Sequence, residues 1–402
     1  MEQTLNALIE RRNQINAQIE ENYQKNKADI NARFPNKSYS EKLLLVFAPD
    51  NALNNQNEQL RKELAELDAQ IETAKKELPK AMWKNAESKL KGKAEKIIDS
   101  LKVQLVPSTE CVEPNDAFIK RLFLIGPKSF KQSLQGRKFS VREKRQTAKK
   151  DAIYSLLKVT NAEGYEDDNP LDEFDRAVLG VIISEYLAGN RYTTINIIFR
   201  ALIGKVGDRG TILRKNQQES IVNSVIKLMA TLVDFSSVAE SLKEMKYTDK
   251  DGNTISFHSS NLLVADIIDA KINGQDMEGV IFFKDNSPLF DIADAKNQII
   301  RYPHDLLDVP NQNNTPRIIS IKKYVLRRIC EIKLHNMTPT ITFEDVFQKC
   351  RMSNSPRNVK MDARNAIVNL FQHLQAKNFI TYFELIKKRQ KFISIKFSYI
   401  QK

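Results

Sequence analysis

The stretch Phe379-Ile-Thr-Tyr-Phe-Glu-Leu-Ile-Lys-Lys-Arg-Gln-Lys-Phe-Ile-Ser-Ile-Lys-Phe-Ser-Tyr-Ile400 decides how the chain reads. β-Branched and aromatic residues fill two runs, 379–387 and 391–400, and Lys387-Lys388-Arg389-Gln390-Lys391 joins them. That pattern predicts a two-stranded ribbon with a basic tip. Upstream of it, Ala363, Ile367, Leu370, Phe371 and Leu374 share one helical face, which predicts a helix over 360–377. Residues 351–359, with Ser353, Asn354, Ser355 and Pro356, read as a turn. Thr342 followed three residues later by Asp345 marks a helix start, and that helix runs to about Cys350. Ile321, Tyr324, Val325, Ile329 and Ile332 predict a further helix over 318–334. Helix, helix, turn, helix and ribbon in that order describe a winged helix, a helix-turn-helix with a wing.

Charge singles out the same segment. Residues 317–402 hold 18 Lys and Arg against 5 Asp and Glu, which is the chain's whole formal excess of +13. A neutral body carrying one strongly basic module suits a polyanion partner. In a winged helix the third helix enters the DNA major groove and the wing lies along phosphates. Lys360, Arg364, Asn365 and Asn369 are therefore expected to read bases in double-stranded DNA. Lys387, Lys388, Arg389 and Lys391 are expected to meet its backbone.

The length of 402 residues suggests two to four domains, and 41% hydrophobic content supports real cores. Residues 1–105 read as a helical arm. In its second helix Leu53, Leu60, Leu64, Leu67, Ile71, Ala74 and Leu78 form a heptad seam, which calls for a partner helix. That partner lies either in an antiparallel hairpin of the same chain or in a second copy. Residues 106–170 read as a connector, first basic and then acidic, in which the acids from Glu163 onward neutralise part of the basic run. Direct nucleic-acid contact by residues 118–150 stays open at this point.

The winged-helix order recurs over 171–310. Phe174, Val178, Leu179, Ile182, Ile183 and Leu187 predict a first helix, and Thr193 or Thr194 caps a second. A Gly-rich basic turn follows, then a third helix with Ile221, Val225, Leu228, Met229 and Leu232 inward. Ile221-Val222-Asn223 matches Ile367-Val368-Asn369 at the corresponding place, and Leu228 and Ala230 match Leu374 and Ala376. The match reads as an ancient duplication or a shared fold. A strand begins at Val233, the wing reads as extended, with strands over 254–257, 262–270 and 279–284, and residues 285–308 connect to the second module. The expected fold class is mainly α with small β wings (α+β), two tandem winged helices behind a coiled-coil arm.

This arrangement resembles the iteron-binding replication initiators of plasmids and related mobile elements. The likeness covers about residues 171–402 and rests on architecture and on patterns such as Tyr324-Val-Leu-Arg-Arg-Ile329. The resemblance implies that both modules dock in successive major grooves of repeated sites. It also implies a dimer interface on the first module, and host replication proteins as partners. By the same resemblance Arg214, Lys215, Asn216, Gln218 and Asn223 form the first module's reading set, and Lys360, Arg364, Asn365 and Asn369 the second's. The helical arm and the long excursion in the first wing depart from the family.

Enzymatic signatures are missing from the sequence. Gly204-Lys-Val-Gly-Asp-Arg-Gly210 has the wrong order for a phosphate-binding loop, and His258, His304, His335 and His373 stand alone. Cys111, Cys330 and Cys350 lack any zinc-ligand spacing and fit a reducing cytoplasm. The N-terminus is polar, and the longest apolar run, residues 43–48, is too short to span a membrane. No catalytic residue, metal or cofactor is expected. The open readings are a DNA-binding initiator, a transcriptional regulator with the same modules, and a protein-binding scaffold.

Overall fold

The computed structural model describes residues 2–36, 38, 52–91, 106–144, 152–208, 210–234, 260–272, 275–389 and 391–399. Two compact units emerge, Met1–Lys84 with Glu163–Tyr165, and Asn85–Ala162 with Glu166–Lys402.

In the first unit, α1 (Glu2–Arg33) and α2 (Ala52–Leu90) lie side by side. Arg11 pairs with Glu63 and Arg12 with Asp68, both at 2.9 Å, while Asn22 donates to Asn57 at 3.0 Å in a buried contact. Residues rising along α1 thus meet residues falling along α2, so the helices are antiparallel. Of the expected seam, Leu60, Leu64, Leu67, Ile71, Ala74 and Leu78 are buried or half-buried, and Asn57 joins them. Leu8, Ile15, Ile19, Asn22, Asn26 and Ile30 answer from α1, so the seam's partner lies in the same chain. A buried Asn pair costs stability and fixes register, because any slip leaves an amide unpaired. Trp83 donates its indole N–H to the Glu163 carbonyl at 2.9 Å. Gly164, at φ +74°, backs onto Pro79 so closely that a Cβ would lie 2.4 Å from the proline's own Cβ.

The second unit ends in a module whose elements fall close to their predicted places. They are α9 (Pro316–Leu334), β10 (Thr340–Thr342), α10 (Phe343–Lys349), α11 (Arg357–Ala376), β11 (Tyr382–Lys388) and β12 (Lys391–Ser398). Thr315 caps α9 and Thr342 caps α10, each hydroxyl accepting from the backbone N–H three residues on. The sheet order is β10–β12–β11, all antiparallel. Val325, Ile329, Phe347, Ile367, Phe371, Leu374 and Phe397 form the core between helices and sheet.

Upstream the same order appears as α5 (Glu173–Leu187), β4 (Tyr192–Thr193), α6 (Ile195–Leu202), α7 (Lys215–Ala230) and the hairpin β7 (Ala265–Ile272) with β8 (Gln275–Phe283). Its sheet order, β4–β8–β7, repeats that of the later module strand for strand. The third helices end on Ala230 and Ala376, the pair already aligned by sequence, and Leu228 and Leu374 are both fully buried. Between the modules' elements run β1 (Glu110–Pro114), α3 (Ala117–Leu122), α4 (Pro127–Leu134), β2 (Phe139–Lys144), β3 (Ala152–Asn161), β5 (Thr231–Asp234), β6 (Ser260–Asn261), α8 (Pro288–Ala295) and β9 (Ile299–Pro303).

Those elements correct three expectations. Residues 106–170 do not run as a connector: β1 pairs with β9, and Cys111, Val112 and Glu113 are buried. The strand beginning near Val233, β5, does not start the wing but joins a four-stranded antiparallel sheet, β2–β3–β5–β6, built partly from that supposed connector. Residues 285–308 likewise hold α8 and β9. The strand expected over 254–257 and basic residues 145–150 lie outside the described residues. The whole is mixed α-helix with small antiparallel sheets, and among the described residues no helix is long and apolar enough to cross a membrane.

One buried acid on α5 gives this unit a pH-dependent stability. Glu185 is 2% exposed; Asn190 donates to one carboxylate oxygen at 2.7 Å, and the other has no partner. Burial pushes its pKa from 4.5 up to about 7, against the lowering effect of Asn190. The folded state holds the proton more tightly than the unfolded chain, so this contribution is full below 4.5 and lost as pH rises through about 7. Glu185→Gln is expected to exceed the wild type in stability at pH 8 by on the order of 3 kcal/mol, with the gap closing towards pH 4. Urea unfolding at the two pH values measures it; an equal gap at both would contradict the assignment.

Candidate nucleic-acid interface

α11 buries Ala363, Ala366, Ile367, Leu370, Phe371 and Leu374 against its own module. The opposite side exposes Asn358, Met361, Asp362, Asn365, Asn369 and Gln372, which share one outward stripe. Asn365 and Asn369, expected from the sequence to face bases, lie on it one turn apart. Lys360 and Arg364 do not. Both are half-buried on the flank facing α10, where the Arg364 guanidinium lies 5.7 Å from the Phe343 ring centre and 5.5 Å from that of Phe347. Lys360 lies 5.8 Å from the Phe347 ring and donates to the Ser353 carbonyl. Phe343 and Phe347, one turn apart on α10, offer π faces that draw these cations inward. The sequence placed the cations one step around the helix from where the aromatic pair holds them. Met361, 53% exposed amid polar neighbours, is the outward residue that sequence reasoning missed. Its exposure on a helix with a complete apolar stripe elsewhere was the available signal.

The hairpin β11–β12 pairs from Tyr382↔Ser398 to Lys388↔Lys391, which leaves a two-residue loop. Arg389 takes φ +57°, the left-handed conformation such tight loops demand and usually give to Gly or Asn. Holding an L-residue there costs about 1–2 kcal/mol and keeps a guanidinium at the apex. Lys387, Lys388, Arg389 and Lys391 are all exposed, and Lys387 lies 4.6 Å from the Phe392 ring centre. Glu384, the ribbon's one acid, pairs with Lys396 at 3.8 Å, away from the tip. Four positive charges thus share one hairpin end, as expected.

The first module presents a narrower face. Arg214, Lys215 and Asn216 are exposed at the start of α7, and Asn223 is exposed two turns on. Gln218 is half-buried and donates to the Lys91 carbonyl at 3.2 Å, so it is not free to read a base. Its neighbour Gln217 caps the helix through Arg214 N–H at 3.0 Å and donates to the Asn314 carbonyl at 2.7 Å. α7 buries Val222 and Ile226 besides the expected Ile221, Val225, Leu228 and Met229. The four-stranded sheet accounts for the extra burial: Asn261 of β6 bonds to the Met229 carbonyl, and Ala162 to that of Ala230 at 2.7 Å. Glu219 joins Asn216 and Asn223 on the open stripe, so charge there is mixed. Lys131 of the basic run pairs with Asp168 of the acidic stretch at 3.1 Å.

A buried ion network joins the modules. Glu113 on β1, 1% exposed, meets Lys323 at 3.2 Å and Arg327 at 2.7 Å, and accepts from the Tyr302 hydroxyl. Arg327 reaches Glu173 of α5 with its other terminal nitrogen. Burial alone would raise the Glu113 pKa, but Lys323 and Arg327 outweigh it and hold the carboxyl at about 2. Arg327, within the Tyr324–Ile329 pattern, therefore serves this seam rather than an exposed surface. Among the described residues no cluster of His, Cys, Asp and Glu could hold a metal, and the three cysteines are free. No family model, curated protein or solved structure matches the chain.

Proposed function

We propose that this chain is a sequence-specific, double-stranded-DNA-binding protein of the cytoplasm, built on two tandem winged helices. We further propose that it initiates replication of a plasmid, phage or other mobile element from repeated origin sites. The observation that carries this reading is the repeated module, one element order and one sheet order used twice, whose second copy ends in the exposed four-charge tip. In this reading α11 is the major-groove helix. Asn365 and Asn369 supply amides suited to adenine, Met361 supplies an apolar contact for a thymine methyl, and Arg364 braces the helix from behind. Lys387, Lys388, Arg389 and Lys391 lie along phosphates. On α7 the corresponding set shrinks to Arg214, Lys215, Asn216 and Asn223. A fixed seam between modules would set the spacing between the two groove contacts.

Selection of bound duplexes from a random pool tests the reading. Recovery of one motif, retained in a salt-dependent way and strengthened when the motif is repeated in tandem, is the expected result. Recovery of no motif at low salt would remove DNA recognition, and recovery of single promoter sites alone would replace initiation with transcriptional regulation.

A further inference from the structure

We propose that a cavity at the seam between the two modules binds the phosphoryl group of a small phosphorylated molecule. The cavity, of about 280 Å³, takes its walls from α3, α5, α9 and α10. Five cations line it, Lys120, Arg176, Arg327, Arg328 and Lys349, against three acids, Glu173, Glu331 and Asp345. Each acid is already engaged. Glu173 holds Arg327, Glu331 holds both Lys120 and Arg328, and Asp345 accepts from the Tyr324 hydroxyl. Arg176 and Lys349 are left over.

Arg176 is 6% exposed, and its hydrogen-bond partners are neutral: the Pro114 carbonyl at 2.8 Å and the Asn115 side-chain oxygen at 3.2 Å. Its Nε has no partner. Burial first, and the neighbouring Arg327 charge second, pull its pKa from 12.5 down to about 10, the mark of a buried cation without a counter-ion in contact. Lys349 is half-buried on the same cavity and forms no ion pair among the described residues. Two uncompensated cations, one of them a guanidinium fork, suit a dianionic phosphoryl group in charge and in geometry. Occupancy would cancel the wall's excess of positive charge. The inference is independent of the DNA-binding reading, because neither the wing nor the outward stripe of α11 takes part.

Calorimetric titration of the full chain with phosphate, pyrophosphate, ATP and sulfate tests it. The four tip residues Lys387, Lys388, Arg389 and Lys391 are first changed to alanine, so that the exposed basic hairpin cannot supply the heat. One saturable site for at least one phosphorylated probe is expected, with a ligand-dependent rise in Tm. Lys349→Ala, at a half-exposed position, should weaken it by on the order of tenfold while the unliganded Tm holds. Tighter binding of ATP than of phosphate assigns a nucleotide; equal binding assigns free phosphate. No saturable heat in the millimolar range, unchanged affinity in Lys349→Ala, or equal binding of sulfate would each overturn the proposal.

Discussion

Replacing Lys387, Lys388, Arg389 and Lys391 together by alanine is expected to weaken binding to cognate and scrambled duplexes alike. The slope of log affinity against log salt should flatten by roughly 0.9 for each phosphate no longer neutralised, so by roughly 3 to 4 if all four residues touch the backbone. The physical reason is release of condensed counterions, which depends on charge near the phosphates and not on base identity. All four side chains are exposed at one hairpin end, and the ribbon's own acid is paired elsewhere, so little within the fold competes for them. Asn365→Ala should behave in the opposite way, costing roughly 1–3 kcal/mol on the cognate site and leaving the salt slope intact. Arg364→Ala carries a different expectation from the one the sequence suggested. Its guanidinium lies over Phe343 and Phe347, so its loss should lower stability and touch both duplexes through the fold. Titrations on both duplexes at several salt concentrations separate the three outcomes. A tip variant that keeps its salt slope would show that the wing does not lie along the backbone.

How far the sequence went depends on what each stretch packs against. The C-terminal module was legible nearly throughout because each helix buries one face and each cap is local: Thr342 bonds Asp345 N–H at 3.1 Å as its spacing implied. The repeated element order was legible because both third helices end on an aligned Leu and Ala pair, of which Leu228 and Leu374 are fully buried. β1 was not. Glu110-Cys-Val-Glu-Pro114 carries two acids and a terminal proline, and read alone it is a loop. It is a strand because Ile299–Pro303, nearly two hundred residues on, supplies its hydrogen bonds, and because Lys323 and Arg327 make the burial of Glu113 tolerable. Nothing within a local window encodes that compensation. Among the site residues the same distinction holds. The tip charges were legible because nothing covers them, whereas Arg364 and Gln218 were misplaced because partners distant in sequence hold them, Phe343 in one case and the Lys91 carbonyl in the other.

Removing the Arg327 guanidinium should be among the most damaging single changes to the fold. Arg327→Leu keeps apolar bulk but leaves Glu113 and Glu173 facing each other's field, 1% and 4% exposed, without the cation they share. Breaking a buried pair from one side typically costs about 3–5 kcal/mol, since the orphaned charge keeps its desolvation penalty and loses its compensation. Lys323 still contacts Glu113 at 3.2 Å, so Glu173 should bear the larger share of the loss. Acid provides the internal check. In the wild type Glu113 has a folded pKa of about 2 against 4.5 in the unfolded chain. Its contribution is therefore full above 4.5 and is lost as pH falls towards 2. In Arg327→Leu the Glu113 carboxyl should titrate higher, so part of the deficit relative to the wild type should disappear between pH 7 and pH 5. Glu173→Gln in the Arg327→Leu background should recover part of it at pH 7 by replacing an orphaned charge with a neutral amide. Urea unfolding of the three chains at both pH values measures these shifts. A single-variant loss below about 1 kcal/mol, within the range of exposed ion pairs, would mean that water reaches the seam and that the network does not hold the two modules together.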